Sequence, residues 1–176
     1  DSDPSSAIQY YLLSLKQSPN NIFLLRKIIP LLVSHGKIDE ALPKAKQLLE
    51  LSNNGSSIAR LILILADIKD HKYVKALKNT EKLQEDGLNT YLIPMLKAWL
   101  LAGQNKSDAA LRIIDQKNRN PGLKILHSIQ GALISEFGGN VKDAVTRYKK
   151  VVKSQKNMNL RATILLGNLY ERLGEK

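Results

Sequence analysis

Apolar and small side chains recur along this chain at offsets of three and four residues, the spacing that places them on one face of a helix. In residues 5–19, Ala7, Tyr11 and Ser14 share such a face and Pro19 stops the helix. Residues 21–34 carry Leu25, Ile28, Ile29 and Leu32 as an inward stripe, and Gly36 ends the segment. Ile38, Ala41, Ala45 and Leu48 open the packing face of a partner helix that fades into residues 52–55. The alternation then repeats. Residues 56–69 present Ala59, Ile62, Leu63 and Ala66, and Tyr73, Ala76 and Thr80 mark their partner, which ends near Asp86 and Gly87. Residues 88–102 present Leu92, Met95, Leu96 and Trp99 before a stop at Gly103, and Ala109 and Ile113 mark the following helix, closed by residues 118–122. A helix over residues 123–137 leaves Ser128, Gly131 and Ala132 competing for its close-packing position, and Val141, Ala144, Tyr148 and Val151 form its partner's face. The last stretch, LGNLYERLG at 166–174, puts Gly167 where a neighbouring helix comes close, Tyr170 about one turn later and Gly174 at the helix end.

The small residues Ala7, Ala41, Ala76, Ala109 and Ala144, each just after a turn, recur at intervals of 34, 35, 33 and 35 residues. A fixed period of this length marks a stack of helical hairpins, each unable to bury its apolar stripe alone. Over essentially its whole length the chain resembles the tetratricopeptide-repeat family. The likeness is strongest in Ala7-Tyr11-Ser14-Pro19, Gly36-Ile38-Ala41, Val141-Ala144-Tyr148 and Leu166-Gly167-Tyr170-Leu173-Gly174. Residues 52–55 lack the family's terminal proline, and Ile29 stands where a small residue is usual.

The resemblance implies an all-α, right-handed superhelical solenoid of antiparallel hairpins. It implies a single domain over residues 1–176 that begins on a second helix and ends on a first helix, with about five hairpins. It also implies that first helices line a concave groove that binds peptides. Segments 86–103 and 165–174 are similar to exported bacterial members of the family, which points to the periplasm, with the cytoplasm as the alternative. Terminal helices without their hairpin partners would expose apolar area and favour a homo-oligomer or a longer native chain.

Composition narrows the function. With 43% apolar residues and few aromatics, the core rests on Leu, Ile, Val and Ala, and a mean hydropathy of −0.23 is that of a soluble chain. Lys97 interrupts the longest apolar run, residues 91–102, well short of the roughly 20 residues a membrane-spanning helix needs. The opening DSDPSS is unlike a signal peptide. The absence of cysteine excludes disulfides, thiolate catalysis and cysteine-based zinc sites. A net charge of +11 draws in anionic partners.

Candidate chemistry is sparse. Of His35, His71 and His127, the first two sit at corresponding hairpin corners without a second ligand at helical spacing, and exposed corner residues account for them better than a metal site, so no metal is expected. No nucleophile-elbow, phosphate-loop or dinucleotide motif occurs, and Asp39, Glu40 and Asp108 sit near helix starts, where they favour the helix dipole. The expectation is a non-enzyme without cofactors. Two basic runs stand out: Lys69, Lys72, Lys75, Lys78 and Lys82, then Lys142, Arg147, Lys149, Lys150, Lys153 and Lys156. They offer a polyanion or membrane surface as an alternative function. Nucleic acid is disfavoured because Tyr73 and Tyr148 belong to the core rather than to a stacking platform.

Taken with the resemblance, the stripes leave Phe23, Arg26, Arg60, Asp67, Lys97, Arg161 and Asn168 as groove residues. Arg26, Arg60 and Lys97 would form a positive strip for an acidic peptide or a C-terminal carboxylate. The carboxylate clamp of chaperone-binding members has no match. Pro30 and Pro94 fall inside first helices and should kink them or mark later starts. Asn54 and Asn105 fit the glycosylation pattern and read as loop residues.

Overall fold

The computed structural model describes residues 4–52, 56–87, 89–117, 123–154 and 159–174. Among them every regular element is an α-helix: α1 (Pro4–Gln17), α2 (Ile22–Ser34), α3 (Ile38–Leu51), α4 (Ser57–Lys69), α5 (Tyr73–Thr80), α6 (Asn89–Ala102), α7 (Ser107–Lys117), α8 (Lys124–Phe137), α9 (Val141–Lys153) and α10 (Leu160–Leu173). They fall into two compact units, Asp1–Gln84 and Glu85–Lys176. In the first, α1 to α5 pack each on the next; in the second, α6 to α10 do the same, and α6 also touches α8. Four helix starts, those of α2, α4, α9 and α10, carry side-chain caps, since the first turn has backbone N–H groups with no helical acceptor. Asn21, Ser56, Asn140 and Asn159 accept from the amides of Leu24, Ala59, Asp143 and Ala162. Residues 53–55, Leu88, residues 118–122 and Lys156, which include Asn54 and the loop expected at 118–122, lie outside the described residues.

The hairpin corners share one construction. Gly36, His71, Asn105 and Gly139 adopt positive φ of 70°, 57°, 61° and 78°. At each corner the next residue, Lys37, Lys72, Lys106 or Asn140, donates its amide to the carbonyl of Leu32, Asp67, Leu101 or Ser135. These are left-handed helix terminations that satisfy a carbonyl of the last turn and fix the direction of the next helix. Gly pays no Cβ penalty there, whereas His71 and Asn105 carry side chains in a conformation that L-residues rarely adopt.

Five residues beyond each corner stands a fully buried alanine: Ala41, Ala76, Ala110 and Ala144. Twelve residues before each alanine a first-helix residue is also fully buried: Ile29, Ile64, Ala98 and Ala132. Ile29 and Ala41 share one core, Ala98 and Ala110 another, and Ala132 and Ala144 a third.

This register corrects several expectations. Ala110, not Ala109, is the packing residue of α7, and Ile114 replaces Ile113; Ala109 and Ile113 are only half-buried. Of the three competitors in α8, Ala132 takes the position paired with Ala144, while Gly131 faces Arg147 and Ile114. In α4 the buried residues are Ala59, Ile62, Ile64 and Asp67, with Leu63 and Ala66 half-buried. In α6 they are Ile93, Pro94, Ala98, Leu100 and Ala102, and the expected Leu92, Met95, Leu96 and Trp99 are half-buried. That helix is apolar on nearly every side, so its own periodicity does not select a face. Ile38, at the first turn of α3, is exposed. Neither proline marks a later start: α2 and α6 begin before Pro30 and Pro94 and continue past them, as α3 does past Pro43. Gly167, expected at a close helix approach, meets no neighbour within 4 Å among the described residues.

Polar side chains lock two of the corners. Asp67 is 5% exposed and accepts from Lys75 Nζ at 2.8 Å and Asn79 Nδ2 at 3.2 Å, joining α4 to α5. At the equivalent place between α8 and α9, the Ser135 hydroxyl donates to Asp143 Oδ2. Arg147 also donates to Asp143 through Nε at 2.6 Å and reaches Asp115 of α7 through Nη1 and Nη2 at 2.8 and 3.0 Å. Tyr148 donates to Glu136 Oε2 at 2.9 Å, and Glu136 in turn accepts from Arg172 of α10. The bonds to Asp115 hold the Arg147 guanidinium firmly protonated against the opposing effect of burial. Burial and the bond to Glu136 push the Tyr148 hydroxyl up. Burial would raise the Asp143 carboxyl, but the bonds from Ser135 and Arg147 outweigh it and the group lies below its ordinary value.

Two outcomes follow from this packing. Ala110→Leu overfills a closed contact and should destabilise the protein by about 1–3 kcal/mol, whereas Ala109→Leu should cost much less; urea unfolding of the two variants checks the register. A carboxylate whose pKa is lower in the folded state stabilises the fold above its unfolded value of about 3.9, and that contribution is lost as pH falls through the folded value. The urea midpoint of the wild type should therefore exceed that of Asp143→Asn at neutral pH and converge on it below about pH 4. Parallel pH profiles would contradict the Asp143 linkage.

Candidate functional site

The register that buries one face of each first helix turns another outward, and equivalent positions can be compared by counting back from the corner. Thirteen residues before the corner stand Phe23 and Ile58, and six before it stand Pro30 and Leu65. Phe23 is 63% exposed and Leu65 57% exposed, and Ile58 also reaches solvent. These four residues sit on α2 and α4 of the first unit. Lys27 lies over the Phe23 ring at 5.5 Å, one turn along α2, and adds a cation beside the aromatic surface. Arg26 is exposed on the same helix, with Nη2 donating to Ser52 Oγ at 3.3 Å.

In the second unit Trp99 is tied down by its indole N–H, which donates to Gln130 Oε1 at 2.8 Å, and by an edge-on contact with Phe137 at 6.0 Å. Leu126 and Leu133 of α8 occupy the positions of Phe23 and Pro30. On α10, whose corner residue is Gly174 with φ of 69°, Arg161, Ile164 and Asn168 are exposed.

The residues expected in a groove therefore separate. Phe23 and Arg26 share α2, and Arg161 and Asn168 share α10, all four exposed. Asp67 is not an exposed groove residue, since it is buried and both its oxygens are engaged by Lys75 and Asn79. Arg60 is half-buried, and Lys97 is half-buried within 3.8 Å of Glu85. Neither stands at the position of Arg26, which Leu61 and Met95 take in their helices, so the three cations do not recur at one register position. The exposed apolar positions Ile58 and Leu65 were missed because they sit in a helix rich in Leu and Ile throughout. Only the distance from the His71 corner identifies them, and that corner carries no glycine to announce it.

The basic runs are partly spent within the fold. Lys72 pairs with Asp70 at 2.7 Å, Lys75 with Asp67 at 2.8 Å, and Arg147 with two aspartates. The hydrogen bond and charge of Lys72 lower the Asp70 carboxyl, and those of Asp70 raise the Lys72 ammonium. Lys149 lies 5.5 Å from the Tyr170 ring centre. His35 and His71 are exposed at their corners, as expected, but His127 is buried inside α8. Among the described residues no group of three or more His, Asp or Glu side chains is arranged to hold a metal ion. Nor is any described helix long and apolar enough to cross a membrane.

No protein-family model and no curated protein matches the chain. Solved structures do. The crystal structure of MamA superposes with a TM-score of 0.65 at 23% identity, over 86% of this chain and 82% of MamA. YrrB, described as a tetratricopeptide-repeat protein with an unusual peptide-binding site, gives 0.60 at 14% identity, over 94% of this chain and 84% of YrrB. A tetratricopeptide-repeat protein from Parabacteroides merdae gives 0.77 at 15% identity, over 98% of this chain and 68% of its own. At such identities the likeness is one of architecture, and it agrees with the hairpin period, the left-handed corners and the paired small residues. The fold of this chain is the tetratricopeptide-repeat fold.

Proposed function

We propose that the chain is a non-enzymatic scaffold that binds a peptide or protein segment across the exposed face of its first helices. The observation that carries this reading is the pair of equivalent apolar positions on α2 and α4, Phe23 with Ile58 and Pro30 with Leu65, flanked by Arg26 and Lys27. Phe23 and Ile58, exposed at the same place in successive hairpins, with Leu65 exposed where Pro30 is half-buried, suit an extended or helical segment that meets both hairpins in turn. The flanking cations select segments that also carry a carboxylate. On α10, Arg161, Ile164 and Asn168 offer a face of similar chemistry in the second unit. The likeness to YrrB, a protein described by its peptide-binding site, supports the same reading. Of the groups with shifted titration, Asp143, Arg147 and Tyr148 are consumed in the seams between α7, α8 and α9, and Asp70 and Lys72 pair with each other at the α4–α5 corner.

Peptides selected from a random library on the wild-type chain test this. They should be enriched in apolar and acidic residues and should bind the Phe23→Ser/Leu65→Ser double variant about tenfold or more weakly. Both side chains are exposed, so helix content and unfolding midpoint should hold. Selected peptides that bind the variant as tightly as the wild type would overturn the assignment. Arg26→Glu should reduce the acidic preference while leaving apolar peptides bound.

A further inference from the structure

A second surface of the first unit is built from different helices. Helices α1 and α3 both pack on α2, and between them runs a groove of about 580 Å³ lined by Gln9, Leu12, Leu13, Leu15, Lys16, Pro19, Lys44 and Gln47. Its volume falls within the roughly 300–1,000 Å³ of ligand-binding clefts. The floor is apolar and held in place: Leu15 is buried in the same core as Ile8, Ala45 and Leu48. The Gln47 amide donates to Pro19 O at 3.1 Å and Asn20 Oδ1 at 3.0 Å, which fixes the end of the groove at the α1–α2 turn. On the α1 side Leu13 is 59% exposed, with Tyr10 of the same helix 70% exposed.

Charge decides what such a groove accepts. Lys16 stands on the α1 wall and Lys44 on the α3 wall, and among the described residues no carboxylate lines the space and neither lysine has an ion-pair partner. An occupant therefore gains by placing apolar side chains on the leucine floor and carboxylates at both rims. A second copy of a chain carrying a net charge of +11 is repelled at this rim. We propose that the α1–α3 groove docks an amphipathic protein segment whose apolar face is bordered on both sides by acidic residues. This site shares no residue with the first-helix surface of α2 and α4, so the two surfaces stand or fall separately.

The test is a charge swap read by fluorescence anisotropy. The probe is a labelled helical peptide with leucines at i, i+3, i+4 and i+7 bordered by glutamates, alongside a second peptide in which lysines replace the glutamates. The wild-type chain should bind the glutamate peptide, and Lys16→Glu/Lys44→Glu should bind it about tenfold or more weakly while gaining affinity for the lysine peptide. Leu13→Ser should weaken both peptides on their respective hosts. Because Lys16 is exposed and Lys44 is on a groove wall, circular dichroism of the double variant should match the wild type. The proposal is overturned if the wild-type chain does not bind the glutamate peptide, or if both hosts bind it equally. It is also overturned if binding is lost in Phe23→Ser/Leu65→Ser instead, which would place the peptide on the first-helix surface. Two further results would assign the groove to another occupant: Leu13-dependent sedimentation with anionic phospholipid vesicles in place of peptide binding, or a Leu13-dependent rise in mass with concentration.

Discussion

The described hairpins depend on a buried alanine in the second helix paired with a buried residue twelve positions before it in the first, and Ile29 with Ala41, Ala98 with Ala110 and Ala132 with Ala144 each share a core. Ala41, Ala76, Ala110 and Ala144 carry only a methyl group, which lets the two helix axes approach closely enough for their ridges and grooves to mesh. The left-handed corner residue sets the phase of that contact, because it fixes how many residues separate the last turn of one helix from the first turn of the next. Once corner and alanine are in place, the larger residues around them, Leu25, Ile28 and Leu48 in the first unit or Tyr148 and Leu169 in the second, have defined spaces to fill.

Polar chemistry enters at the same corners and is subordinate to this geometry. The carbonyl that each corner satisfies belongs to Leu32, Asp67, Leu101 or Ser135. Two of these positions have apolar side chains and two have polar ones. Where the side chain is polar it is buried, so the second helix must supply partners, because an unsatisfied buried polar group costs more than the hydrogen bond returns. Lys75 and Asn79 do so for Asp67, and Asp143 does so for Ser135. Arg147 extends the second of these locks to Asp115, so α7, α8 and α9 are joined through one guanidinium. The same bonds withdraw charge from the surface, and the basic runs present less free positive charge than their lysines and arginines suggest.

The exposed surfaces are by-products of that packing. A first helix that buries Leu25, Ile28, Ile29 and Leu32 necessarily turns Phe23 and Arg26 outward, and the next first helix turns Ile58 and Leu65 outward in the same register. The groove between α1 and α3 arises because both helices rest on α2 and leave a space between their outer sides. Each surface pairs apolar side chains with cations at its edge, the combination of shape and charge on which the two proposed binding roles rest.

The residues themselves determined the helical class, the hairpin period and most of the first unit's core. Leu25, Ile28, Ile29 and Leu32 recur at helical spacing with Arg26 and Lys27 set between the first two, and Gly36 and Gly139 announce their corners with the one residue free to turn left-handed. Tertiary structure alone decided the rest. Ala109 and Ala110 are equally suited to the inner face of α7 by size, and only the corner at Asn105, which no glycine marks, selects Ala110. In α4 and α6 apolar residues surround the helix, so the neighbouring helices, rather than any periodicity, choose between Leu63 and Ile64 or between Leu92 and Ile93. Asp67 looks like a surface carboxylate from its neighbours along the chain. It is buried because Lys75 and Asn79, a helix away, are brought to it by the fold, and hydrogen bonding across two helices leaves no trace in local sequence.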